Sequence, residues 1–136
     1  DGRRLIAVVL RSPDRWRDAA TLLEYGFNSY HLMVLAEEGR PVAQVRVAGG
    51  AKSTVALVPR ARLAIVCRKG TEGLVKLITV LPSEPVRAPI LPGRILGRLA
   101  VLYGGEEVDG VDLLPAARVA GVNWLRRIFG RFHAQD

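Results

Sequence analysis

Pro41-Val42-Ala43-Gln44-Val45-Arg46-Val47 alternates apolar and polar side chains. At a period of two, Ala43, Val45 and Val47 fall on one face of an extended chain and Gln44 and Arg46 on the other, which predicts a strand with one face in a core. Gly49-Gly50 predicts the turn that ends it. Further along, Val55 to Val58 and Leu63 to Val66 read as short strands around Pro59-Arg60, and Leu74 to Leu81 as another after the loop Lys69-Gly70-Thr71-Glu72-Gly73. Pro82, Pro85, Pro89 and Pro92 keep the next connection extended and out of any ladder interior. Ile95 to Tyr103 and Val108 to Leu114 then flank Gly104-Gly105-Glu106-Glu107, a hairpin signal. Short strands with frequent turns predict a mainly β chain, built as a small antiparallel β-sandwich-like domain rather than an α/β unit.

The chain before this region has a different pattern. Leu5-Ile6-Ala7-Val8-Val9-Leu10 is a continuous apolar run, as in a strand covered on both faces. Ser12-Pro13-Asp14 predicts a helix start: the serine hydroxyl as cap, proline at the first helical position, and Asp14 against the positive end of the dipole. Trp16, Ala19, Ala20, Leu23 and Phe27 share one helical face. A central strand with its helix needs neighbouring strands, and these are expected upstream of Asp1.

Gly2-Arg3-Arg4 with the run that follows, the short helix entry, and Ala20-Thr21-Leu22-Leu23-Glu24-Tyr25-Gly26-Phe27 resemble the end of the peptidase domain in D-alanyl-D-alanine carboxypeptidases of the penicillin-binding protein 5 type. In that family the strand follows a Lys-Thr-Gly strand in the active-site sheet. A separate β-rich domain comes next, then an amphipathic helix that rests on the membrane. The alternating segments from about Leu32, Arg87-Ala88-Pro89-Ile90 followed by Gly93 and Gly97, and the ending Asn123-Trp124-Leu125 match that order. The resemblance implies a peptidase-domain remnant over residues 1–30, a β-rich domain over 31–120 and a membrane-surface helix over 121–136.

The family's chemistry needs Ser-x-x-Lys, Ser-x-Asn and Lys-Thr-Gly elements. Three residues after Ser12, Ser29, Ser53 and Ser83 come Arg15, Leu32, Ala56 and Val86, so no serine has its lysine. Lys69-Gly70-Thr71 has the right residues in the wrong order. No catalytic residue can be carried over, and the chain alone is expected to be inactive. The resemblance implies that the parent is a hydrolase that trims the terminal D-alanine of peptidoglycan stem peptides, with this chain spacing its active site from the membrane. The alternative is a free-standing β-rich adaptor or a barrel-sandwich, lipoyl-like domain, suggested by the proline-then-glycine rhythm of residues 88–99.

At 136 residues with 49% hydrophobic and 24% charged content, the chain can bury one core. It holds no apolar stretch of the ~18 residues that a transmembrane helix needs and no N-terminal signal peptide. Any export signal is expected to precede Asp1. Lone Cys67 excludes an internal disulfide and reads as a small core residue. The net charge of +7 invites an anionic partner. Its arginines are scattered, without zinc-finger spacing, ribonucleoprotein aromatics or a basic recognition helix, so nucleic acid is not expected.

Several strings resemble sites and fail on spacing. Gly49-Gly50-Ala51-Lys52-Ser53-Thr54 has Ala51 and Arg46 where a phosphate loop needs glycines. Glu106, Glu107, Asp109 and Asp112 lack calcium-loop spacing and read as a charged hairpin. His31 and His133 lie at opposite ends of the β region, with no cysteine or carboxylate expected beside them, so neither metal nor cofactor is expected.

The one candidate site is the C-terminus. On a helix, Val122, Leu125, Ile128, Phe129 and Phe132 form an apolar arc with Trp124 at its edge and Arg127 and Arg131 opposite, Arg126 adding to the charge. This is the composition of an interfacial helix on anionic lipid, and equally of a helix packed on its own β domain; the resemblance implies the membrane-surface role. The expected partners are the missing upstream peptidase domain, an anionic membrane surface, and peptidoglycan or another cell-wall protein. The expected location is extracytoplasmic, at the outer face of the bacterial cytoplasmic membrane.

Overall fold

The computed structural model describes residues 2–122. Helix α1 (Arg15–Ser29) is followed by β1 (Tyr30–Ala36), β2 (Ala43–Ala48), β3 (Thr54–Pro59), β4 (Leu63–Arg68), a 3-10 turn at Glu72–Leu74, β5 (Val75–Val80), β6 (Val86–Arg87), β7 (Gly97–Tyr103) and β8 (Glu106–Pro115). Six strands form a sheet in the order β5-β7-β8-β3-β2-β6, and β1 pairs with β4 in a separate two-stranded sheet. Ala36 and Leu63 from the small sheet share one apolar core with Val45, Val47, Leu57, Val101, Val111 and Leu113 from the large one. The mainly β, sandwich-like expectation therefore holds, with one departure: β6 runs parallel to β2 over Val47↔Val86 and Ala48↔Arg87. Four closely spaced prolines limit the 82–92 connection to this short pairing and the Ile90↔Val119 bridge.

Local pattern accounts for the elements. Val45 and Val47 are buried in β2 while Gln44 and Arg46 are exposed, as the alternation requires. The β7–β8 hairpin turns through Gly104 and Gly105, both at positive φ (60° and 91°), the backbone that a tight hairpin matched to strand twist demands. At the start of β7, a Cβ on Gly97 would lie 2.8 Å from the Val80 carbonyl oxygen. Glycine there admits close backbone approach between β5 and β7.

The N-terminal expectations need correction. Residues 5–10 form no strand: no described strand pairs with them, and Ile6, Val8 and Leu10 are 92%, 72% and 83% exposed. An apolar run becomes a strand only where a ladder satisfies its backbone. The helix forms, but its cap is Asp14, whose Oδ1 accepts from the Arg17 N–H at 3.1 Å. Ser12 instead accepts from the Asp14 N–H at 3.1 Å and donates to the Asp18 carboxylate, leaving Pro13 outside the helix. No residue of α1 is buried. Trp16 is 78% exposed, and the predicted apolar face stays largely in solvent. The helix is held at its end, where Arg3 sits over the Phe27 ring at 5.3 Å and donates to the Tyr30 carbonyl.

Candidate functional site

The β7–β8 ribbon sets the distance between the two ends of the domain. At the hairpin-tip end, Tyr30, the first residue of β1, lines a cavity of about 510 Å³ together with Cys67, Tyr103 and Val108. The chain thus enters the β region beside the tip. From Val108, β8 runs to Pro115, a span of roughly 23 Å at ~3.3 Å per residue. The chain continues the same way: the Ala116 N–H bonds the Ala56 carbonyl, Val119 pairs with Ile90, and Gly121 pairs with Gly50. Entry and exit lie at opposite ends of the domain.

The exit end is stitched together tightly. The Val119 and Ile90 backbones exchange bonds of 3.0 and 2.8 Å, the Ala51 N–H donates to Ala120 at 2.8 Å, and the Val122 N–H to Gly49 at 2.8 Å. Beside this seam lies a cavity of about 770 Å³ lined by Ala48, Gly49, Arg87, Ala88, Pro89, Arg118, Ala120 and Gly121. Its floor is small side chains and backbone, and its cations, Arg87 and Arg118, are exposed. Val122 stands at this seam, 42% exposed. Trp124, Leu125, Arg126, Arg127, Ile128, Phe129, Arg131 and Phe132 lie outside the described residues, as does His133.

Two strings set aside on spacing lie in a strand connection and a hairpin. Residues 49–53 connect two antiparallel strands, β2 and β3, and no helix follows them. In the acidic hairpin, Glu107 accepts from Arg98 at 2.7 Å. That bond, with the charges of Glu107, Asp112 and Asp109, holds the Arg98 guanidinium proton more firmly than usual.

Sequence reasoning missed one cluster. The β1–β4 register sets His31 opposite Cys67. Cys67 is 2% exposed. Its Sγ lies 3.6 Å from His31 Nε2 and 3.1 Å from Met33 Sδ. Glu72, from the loop after β4, brings Oε1 to 3.5 Å from His31 Nε2. A cysteine and a carboxylate do therefore flank His31, contrary to expectation. Burial, and then the Glu72 charge, raise the Cys67 thiol above its ordinary range. Hydrogen bonds from the Glu72 and Gly70 backbone hold the Glu72 carboxyl below its usual range. No local pattern signals this pairing, because His31 and Cys67 are 36 residues apart.

A two-layer β domain with chain entry and exit at opposite ends is the class of fold defined here. Residues 30–120 match the model of the penicillin-binding protein 5 C-terminal domain, and the chain belongs to that family. It is 27% identical over 113 residues to the D-alanyl-D-alanine carboxypeptidase DacA of Haemophilus influenzae, a match covering 81% of this chain and 29% of that protein. Penicillin-binding protein 5 of the same organism superposes with a TM-score of 0.68 at 24% identity, over 78% of this chain and 31% of the other. The D-alanyl-D-alanine carboxypeptidase DacD of Francisella tularensis gives 0.55 at 19%, over 79% and 27%. The chain thus spans under a third of the length of these relatives.

Proposed function

We propose that this chain is the non-catalytic C-terminal module of a serine-type D-alanyl-D-alanine carboxypeptidase, holding that enzyme's active site away from the membrane. The observation that carries the reading is the separation of entry and exit along β8: a peptidase domain before Tyr30 and an anchor after Val122 would sit at opposite ends of a stiff sheet. Three functional parts follow, over residues 1–30, 31–120 and 121–136. The sequence supports the non-catalytic role, since no serine has a lysine three residues on. The parent's partners are then its peptidase domain and an anionic membrane surface, with Arg87 and Arg118 adding positive charge at the exit end. The proposed location is the outer face of the cytoplasmic membrane; among the described residues no helix is long and apolar enough to cross a membrane.

The reading makes a chemical prediction. With neither nucleophile nor activating base, the chain should remain unlabelled after incubation with a fluorescent β-lactam and denaturation. A stable adduct on any serine contradicts the non-catalytic assignment. Membrane contact is tested by flotation with anionic vesicles, where a chain ending at Val122 should stay at the bottom of the gradient and the full chain should float.

A further inference from the structure

We propose that His31, Cys67 and Glu72 form a binding site for a zinc-class divalent metal ion. Each supplies one ligand atom, and the three atoms lie within 4.8 Å of one another. The spacing suits the ion. Zinc bonds of about 2.3 Å to sulfur and about 2.0–2.1 Å to nitrogen or oxygen, at tetrahedral angles, place ligand atoms roughly 3.6 Å apart for sulfur–nitrogen and roughly 3.4 Å for nitrogen–oxygen. The observed separations are 3.6 Å from Cys67 Sγ to His31 Nε2 and 3.5 Å from His31 Nε2 to Glu72 Oε1. Only the sulfur–oxygen edge must close. It can do so by rotation of Glu72, whose side chain is 43% exposed.

The surroundings favour binding. His31 and Cys67 are a directly opposed pair on two hydrogen-bonded strands, so their separation is fixed by β1–β4 pairing. The loop that carries Glu72 is fixed as well: Tyr103 Oη donates to Thr71 Oγ1 at 2.9 Å, and Thr71 Oγ1 donates to the Arg68 carbonyl at 2.6 Å. A thiolate and a carboxylate together cancel the charge of a divalent ion. Binding displaces the Cys67 thiol proton to solvent, one proton for each ion bound. The fourth position is left for water. Met33 Sδ, 3.1 Å from the thiol, is a soft donor on the same face and would instead suit cuprous ion; the carboxylate argues for zinc.

The test uses the full 136-residue chain with Co²⁺ as spectroscopic probe and Zn²⁺ as competitor. One equivalent of Co²⁺ should produce a thiolate-to-cobalt charge-transfer band that Zn²⁺ abolishes, and Zn²⁺ should raise the melting temperature. Cys67→Ser should remove the band. Because that side chain is buried, the exposed Glu72→Gln and half-exposed His31→Gln are the stricter variants. Each should weaken Zn²⁺ binding by at least about tenfold while melting as the parent does without metal, and Met33→Leu should leave the affinity unchanged. The proposal fails if the parent chain shows no charge-transfer band, or if Zn²⁺ affinity is unchanged in Glu72→Gln and His31→Gln. It fails equally if Met33→Leu weakens binding and Glu72→Gln does not, since Met33 and not the carboxylate would then be the third ligand.

Discussion

Leu57 and Gly97 mark two ways in which a single position holds this domain. Leu57 is fully buried on β3, inside the core shared by both sheets. Leu57→Ala should cost about 2–5 kcal/mol, the sum of lost transfer energy and an incompletely collapsed cavity, read as a lower midpoint in urea. Gly97 contributes no burial of its own. Its role is to let β7 approach the Val80 carbonyl, where a Cβ would sit at 2.8 Å. Gly97→Ala adds one methyl group and should still destabilise, by about 1–3 kcal/mol, because backbone must move. A melting temperature equal to the parent's would show that the β5–β7 edge is slack. Position 57 was legible in the sequence from its apolar run. Gly97 fell inside the predicted strand Ile95 to Tyr103, but the atom it must avoid belongs to another strand and could not be read from neighbours in sequence.

Among the elements, β2 and the β7–β8 hairpin were legible because their signals are local: a period of two in one case, two adjacent glycines in the other. Residues 5–10 were not, because an apolar run states what a segment would bury and not whether a partner stands beside it. The helix start moved for a similar reason. Ser12 and Asp14 are both capping residues, and only the backbone path decides which oxygen reaches the Arg17 N–H. The pairing of His31 with Cys67 was beyond any local signal, since it depends on β1 meeting β4 across β2 and β3. These distinctions carry a prediction. With no residue of α1 buried, deletion of residues 1–28 should leave a single cooperative melting transition. Ser29 is kept because its carbonyl accepts from the Lys69 N–H at 2.9 Å. Removing Ile6, Val8, Leu10 and Trp16, all strongly exposed, should also reduce aggregation. Loss of the cooperative transition would place the segment in the same folding unit as the sheets.

For the whole molecule, the β-rich class, the strand positions and the family were legible from alternation, turn residues and the stretch around Tyr25-Gly26-Phe27. The polarity of the domain was not, because the entry is placed by the cavity that Tyr30 shares with Tyr103 and Val108 and the exit by the pairings Gly50↔Gly121 and Ile90↔Val119, which no sequence pattern announces. That polarity underlies the central claim that one end faces a membrane. The most direct measurement is tryptophan emission on anionic vesicles in a Trp16→Phe background, which leaves Trp124 as reporter, paired with thermal melts of the Phe129→Ala variant. The account predicts a blue shift on vesicles that weakens with salt and on charge reversal of Arg127 and Arg131, and a Phe129→Ala variant that binds less while melting as the parent does. Absence of any vesicle-induced shift, with Phe129→Ala costing the ~3–5 kcal/mol of a buried phenylalanine, would make the terminal segment part of the core and contradict the membrane-spacing role.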